Sequence, residues 1–175
     1  SDITEGDEVI TVAHTFAATV AIISQCNAKP VLIDINQDHN MDTSCIEDVI
    51  TEKTKAIIPV HLNGRICDMS KIMKIASNHG LHIIEDAAQA VGAKYKEKKA
   101  GSFGLTGCFS FYPAKILGTL GDGGMVVTNE KDIAKKLFLL RDHGQNRETG
   151  EFLFHGFNSR LDNLHAAILT IKLNH

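Results

Sequence analysis

The chain has 175 residues, 43% of them hydrophobic, and 18 Lys and Arg against 21 Asp and Glu leave a formal charge of −3. That length supports one domain with a sizeable core, and that apolar content excludes a disordered chain. Acids and bases are dispersed with no basic stripe, which argues against nucleic acid as a partner; no apolar run is long enough to span a membrane and no secretory segment opens the chain, so a soluble, cytoplasmic protein is expected.

Short β-rich apolar runs alternate with helical ones along the chain. "EVITVA" (8–13) predicts a strand, "FAATVAIISQC" (16–26) a helix, and "KPVLIDI" (29–35) a second strand. "DTSCIEDVI" (42–50) predicts a short helix capped by Asp42 or Thr43. "TKAIIPVH" (54–61) predicts a strand ended by Pro59, with a turn at Asn63–Gly64. "DMSKIMKIASNHG" (68–80) has Asp68 as cap, Met69, Ile72, Met73, Ile75 and Ala76 as inward face, and Gly80 as its close. "LHIIEDAA" (81–88) is the next strand. "TGCFSFY" (106–112) and "GGMVVT" (123–128) predict adjacent strands joined by a lysine-bearing loop too short for a crossover helix, hence one antiparallel pair. "EKDIAKKLFLLRDHG" (130–144) predicts a helix with Ile133, Leu137 and Leu140 inward. Residues 148–160 carry no period and read as an excursion, and a last helix starts near Leu161.

This rhythm predicts a three-layer α/β/α fold with a mostly parallel sheet, whose unalternating "VLIDI", "AIIPV" and "HIIED" are strands buried on both faces. The widely spaced Cys26, Cys45, Cys67 and Cys108 form no metal-type pair and are expected as reduced thiols in or near the core. The last residues stop within an amphipathic helix, which predicts a piece of a longer chain.

In an open parallel sheet, ligands sit beyond the carboxyl ends of the strands. The groups placed there are Ala13–His14, Asp34, His61, Glu85–Asp86 and Ser110. Asp86 at a strand's end is either a cap or solvated carboxylate, or the partner of a protonated heterocyclic nitrogen. Lys115 is either a solvated side chain or an amine held in a cleft to attack a carbonyl. Its surroundings, "CFSFYPAKILGTLGDGG" (108–124), favour the second reading, because the glycines permit a tight backbone around a bulky ligand. An aspartate for a ring nitrogen, a lysine for an aldehyde and a hydroxyl for a phosphate are what pyridoxal phosphate (PLP) needs, although spacing alone does not name that cofactor. No P-loop and no GxGxxG offers a nucleotide motif instead.

Ordered blocks extend this over nearly the whole chain: "GDEVITVAHTFAAT" (6–19), "AKPVLIDI" (28–35), "TKAIIPVHLNG" (54–64), "HGLHIIEDAAQAVGAKY" (79–95), "GCFSFYPAK" (107–115), "LGTLGDGGMVVT" (117–128) and "GFNSRLDNLHAAIL" (156–169). Together they closely resemble the DegT/DnrJ/EryC1/StrS family of PLP-dependent sugar aminotransferases, in the aspartate aminotransferase (fold type I) superfamily. The resemblance implies that Lys115 bonds the cofactor's aldehyde and then moves the substrate's proton, and that Asp86 pairs with the ring nitrogen. Gln89 would lie by the ring hydroxyl and Ser110 would hold the phosphate, while Phe16 would either stack on the ring or be a plain core aromatic of its helix. Asn158 would reach a neighbouring subunit's phosphate in a homodimer with shared sites, while Arg160 beside it would orient the loop or meet a substrate phosphate, with a role in packing and ion pairs the better reading. His14 and His61 lie at the predicted rim, with a structural role the better reading, and Asp122 would shape its loop.

The implied reaction is a two-stage exchange that carries an amino group, from glutamate by family habit, to a nucleotide-linked keto-sugar. Some relatives carry histidine in place of the lysine and dehydrate the sugar, an alternative that Lys115 disfavours; others were first described as regulators, though no helix-turn-helix or basic patch supports that here. Full members also have an N-terminal phosphate-loop segment and a smaller C-terminal domain, so residues 1–175 are expected to be part of the large domain and, on their own, to bind PLP weakly or not at all and to be inactive.

Overall fold

The computed structural model describes residues 3–175. Strand β1 (Glu8–Val12) leads into helix α1 (Ala17–Gln25) and strand β2 (Lys29–Ile33). Strand β3 (Thr54–Ile57), helix α2 (Met69–His79) and strand β4 (His82–Asp86) follow. A two-stranded hairpin, β5 (Lys94–Tyr95) and β6 (Lys98–Lys99), precedes β7 (Thr106–Ser110), β8 (Gly124–Val127), α3 (Lys131–Leu140) and α4 (Asn163–Lys172). The main sheet has the order β2-β1-β3-β4-β7-β8. Its pairs are parallel until the last, where β8 runs antiparallel to β7.

β1 shows why the sheet's centre reads as unbroken apolar sequence. All five of its residues are buried. Ile10 and Val12 join Ile57, Ile72 and Ile83 on the α2 side, while Val9 joins Ile23, Ala56 and Ile58 on the α1 side. The buried Thr11 hydroxyl finds its acceptor in the Ile58 carbonyl at 2.9 Å. α2 is built as its pattern predicts. The Asp68 carboxylate caps it by accepting from Lys71 N, Gly80 ends it in the left-handed conformation at φ 65°, and Met69, Ile72, Ile75 and Ala76 are buried. Covering one such isoleucine stabilises the fold by about 1.5–3 kcal/mol.

Several expectations need correcting. Residues 42–50 form two short 3₁₀ turns, Thr43–Cys45 and Glu47–Val49, because Asp42 caps by accepting from Ser44 N only two residues on. β2 is not buried on both faces: it is the sheet's edge and Leu32 is 50% exposed. Met73 lies at the border of the inward face of α2, at 37% exposure. Ile133, Leu137 and Leu140 of α3 are half-buried. Cys26 is exposed, so only Cys67, which is buried, and Cys45 and Cys108, which are half-buried, fit the expectation of core or near-core thiols. The β5–β6 hairpin was not foreseen, its strands being only two residues each.

Candidate functional site

Four strands deliver their carboxyl ends to one cavity of about 650 Å³. After β1 come Thr15, Phe16, Ala18 and Thr19; after β3, Val60 and His61; at and after β4, Asp86, Ala88 and Gln89. Ser110, Tyr112, Ala114, Lys115, Asp122 and Gly123 come from β7 and the loop that follows it. The chain leaves β1 for β2 on one side and returns through β3 on the other, so the cavity opens at the point where the strand order reverses, as the open-sheet rule requires. Its volume lies within the roughly 300–1,000 Å³ of small-molecule sites.

The lysine loop is packed and hydrogen-bonded from below. Phe111 and Leu117 pack with Leu169 of α4 in a small buried cluster. Phe111 N donates to Gly123 O and Thr119 N to Phe111 O, both at 2.8 Å, and Lys172 Nζ donates to Gly118 O at 2.6 Å. A side chain at Gly118 would meet the carbonyl oxygens of Pro113 at 2.5 Å and Tyr112 at 2.6 Å, so the turn that carries Lys115 requires glycine there. Lys115 N donates to Tyr112 O at 2.9 Å. Among the described residues the Lys115 ammonium has no ion-pair partner.

The polar groups around it are fixed with capacity to spare. Asp86 accepts from Thr19 Oγ1 at 2.7 Å through Oδ2 and from Ala88 N at 3.1 Å through Oδ1, leaving lone pairs for a cation. Gln89 Oε1 accepts from Asn63 N at 2.7 Å, which leaves the amide hydrogens free to donate. Ser110 Oγ accepts from Tyr112 N at 3.2 Å and keeps its own proton. Burial pushes the neighbouring Cys108 thiol up to about 11, with the Asp86 and Glu85 carboxylates adding to the push.

The structure thus brings Asp86, Lys115, Gln89, Ser110 and Phe16 together, with Phe16 77% exposed. Asn158 is elsewhere. It lies on the exposed 148–160 excursion, where it bridges to Asp142 and does not line the cavity. That excursion is fastened by Asp142, which accepts from Arg147 Nε and Arg160 Nη1, each at 2.5 Å. Arg147 first and Arg160 second hold its carboxyl down to about 2. Asp34 and His14 are outside the cavity; His14 packs edge-on against His39 with ring centroids 5.6 Å apart.

Glu85 faces away from the cavity, contrary to its placement at the ligand end. It is fully buried and accepts from Phe103 N and Gly104 N at Oε1, at 2.7 and 2.8 Å, and from Gly101 N at Oε2, at 2.7 Å. His61 Nε2 is also 3.1 Å from Oε2. Cys67 N donates to His61 Nδ1 at 3.4 Å, which assigns the ring proton to Nε2 and makes His61 the donor. Burial pushes Glu85 up, but these four donors outweigh it and hold the carboxyl below the ordinary range.

Sequence reasoning missed this clamp and also missed Thr15 and Thr19, whose hydroxyls are 2.7 Å apart. The i, i+4 spacing of two threonines at a helix start was the available signal.

A mostly parallel sheet with helices on both faces, ending in an antiparallel strand after a lysine loop, is the large-domain architecture of fold type I PLP enzymes. Across residues 1–175 the chain matches the model of the DegT/DnrJ/EryC1/StrS aminotransferase family, and it belongs to that family. It is 50% identical over 171 residues to a pleiotropic regulatory protein of Geobacillus stearothermophilus, covering 97% of this chain and 46% of that one. It is 44% identical over 171 residues to the dTDP-3-amino-3,4,6-trideoxy-alpha-D-glucose transaminase of Streptomyces venezuelae, covering 97% and 45%. The structure of S. venezuelae DesV in complex with a ketimine intermediate superposes with a TM-score of 0.93 at 44% identity, covering 99% of this chain and 47% of that one. The chain therefore spans about half the length of the curated relatives it matches.

Proposed function

We propose that this chain carries the PLP site of an aminotransferase that acts on a nucleotide-linked keto-sugar. The observation that carries this reading is the single cavity shared by Asp86 and Lys115. The donor set fits the cofactor: an anion with spare lone pairs for a ring cation, an amine without an ion-pair partner, and two neutral donors. When bound, PLP supplies an aldehyde that condenses with amines and a pyridinium ring that draws electrons from the substrate carbon.

In this reading Asp86 holds a proton on the ring nitrogen, since its carboxylate favours the cationic partner at close range. Phe16 covers one ring face, Gln89 donates to the ring hydroxyl and Ser110 to the phosphate. Lys115 Nζ would hold the aldehyde and, once freed by an incoming amine, would serve as the base and acid that carries a proton between the substrate carbon and the cofactor's own reacting carbon. Residues 1–175 form part of a longer large domain, and Asn158, outside its own cavity, serves the phosphate of a second copy in a homodimer. Glutamate is the proposed amino donor. The nucleotide-sugar substrate class is supported by what the S. venezuelae transaminase is named for.

The Geobacillus relative's name favours a second reading, a regulatory protein without catalysis. One experiment separates them. The purified full-length protein that carries residues 1–175 is incubated with PLP, treated with borohydride and mapped by peptide mass, beside Lys115→Ala. A visible absorption band that reduction converts to a covalent adduct on Lys115, absent from the variant, supports the enzyme. No adduct refutes it.

A further inference from the structure

Thr19 is 6% exposed and its Oγ1 is 2.7 Å from Asp86 Oδ2. An ionised carboxylate only accepts, so the one hydroxyl proton of Thr19 is committed to Asp86. Thr15 Oγ1, 2.7 Å from Thr19 Oγ1, must then be the donor in that pair. The result is a directed chain, Thr15 to Thr19 to Asp86, in which each bond polarises the next. On the other carboxylate oxygen, Ala88 N donates at 3.1 Å. Two donors on opposite oxygens, one from α1 and one from the turn after β4, fix both torsions of the Asp86 side chain.

The same stretch of backbone sets the cavity's aromatic wall. Thr19 N donates to Phe16 O at 3.1 Å, and Phe16 is the residue that enters α1. The hydroxyl that meets the carboxylate and the residue that supplies the cavity's aromatic side chain therefore share one helical turn.

We propose that the Thr15–Thr19 hydroxyl pair is a positioning device that holds the Asp86 carboxylate in the orientation a protonated ring nitrogen requires, so that cofactor retention depends on the Thr19 hydroxyl through Asp86. This deepens the PLP reading and rests on it. A purely space-filling role for Thr19 would be met equally well by valine, which has the same shape without the hydroxyl, and less well by serine, which keeps the hydroxyl and loses a methyl group.

The test uses Thr19→Val, Thr19→Ser and Thr15→Val, with Thr19→Val also made in an Asp86→Ala background. The PLP dissociation constant and the urea unfolding midpoint of the cofactor-free protein are both measured. Thr19→Val is expected to weaken PLP binding about tenfold, which corresponds to about 1.4 kcal/mol. Thr19→Ser should stay within about twofold of wild type, and Thr15→Val should lose a smaller factor. In the Asp86→Ala background Thr19→Val should change nothing further, because a residue acting through Asp86 has no effect without it. Equal binding by the valine and serine variants, or a loss that persists without Asp86, overturns the proposal. A wild-type protein that binds no PLP overturns the functional reading instead. In that case the cofactor-free unfolding midpoints still decide whether the hydroxyl and the carboxylate are coupled.

Discussion

Replacing Glu85 by glutamine removes a charge and almost no volume, so its cost measures the buried clamp itself. Each carboxylate oxygen faces two donors: Phe103 N and Gly104 N at Oε1, Gly101 N and His61 Nε2 at Oε2. Whichever way the glutamine amide turns, its NH₂ group points at a pair of donors and two bonds are lost. Leaving buried donors unpaired beside a missing charge costs about 3–5 kcal/mol. That is a large share of the roughly 5–15 kcal/mol that holds a domain folded. At about 2–4 °C per kcal/mol for a chain of this size, the melting temperature of the purified protein should fall by about 6–20 °C.

The pH dependence gives a second readout. In the unfolded chain Glu85 takes up its proton near the ordinary value of about 4.3, above the lowered folded value, so the unfolded state binds more protons in that window. The carboxylate's contribution is complete above that window and is lost as pH falls through the folded value. Wild type should therefore lose its advantage over Glu85→Gln on acidification, measured by urea unfolding at a series of pH values. A loss under about 1 kcal/mol at neutral pH, or a difference that does not shrink in acid, would refute the clamp. The clamped turn enters β7, which carries Ser110 and the lysine loop, so PLP retention should fall with it.

Other expectations concern the loop, the thiols and the second subunit. Leu117→Ala empties the cluster beneath the lysine loop and should cost about 2–5 kcal/mol in denaturant unfolding; a near-zero cost would mean that the loop is held by its hydrogen bonds alone. Burial pushes Cys67 up to about 12 and Cys108 up to about 11, so both should stay unreactive toward a thiol reagent at pH 8 while the exposed Cys26 reacts, and all four should react once the chain unfolds. Fast native labelling of Cys67 would contradict its burial. Mixing Asn158→Ala protein with Lys115→Ala protein should recover activity that neither has alone, at one working site per mixed dimer. Proven mixing without recovery would sink the shared site.

What the sequence determined by itself is local. Periodicity, caps and glycines placed α2, its Asp68 cap and its Gly80 close, and the short link between residues 112 and 123 left no room for a crossover helix, in keeping with the antiparallel β7–β8 pair. Strand ends put Asp86, Ser110 and the lysine loop on one side of the sheet, and ordered blocks named the family. Only the tertiary structure decided which strand lies at an edge, and so exposed Leu32 where an unbroken apolar run had promised burial. It turned Glu85 into the core while its neighbour Asp86 faced the cavity, because adjacent strand residues point to opposite faces and the pairing partners choose which face is which. It joined Thr19 to Asp86 across 67 residues of chain. Local patterns encode the elements. The hydroxyl relay, the buried clamp and the removal of Asn158 from its own cavity arise only when distant elements pack, since a side chain's partners are set by that packing and not by its neighbours in sequence.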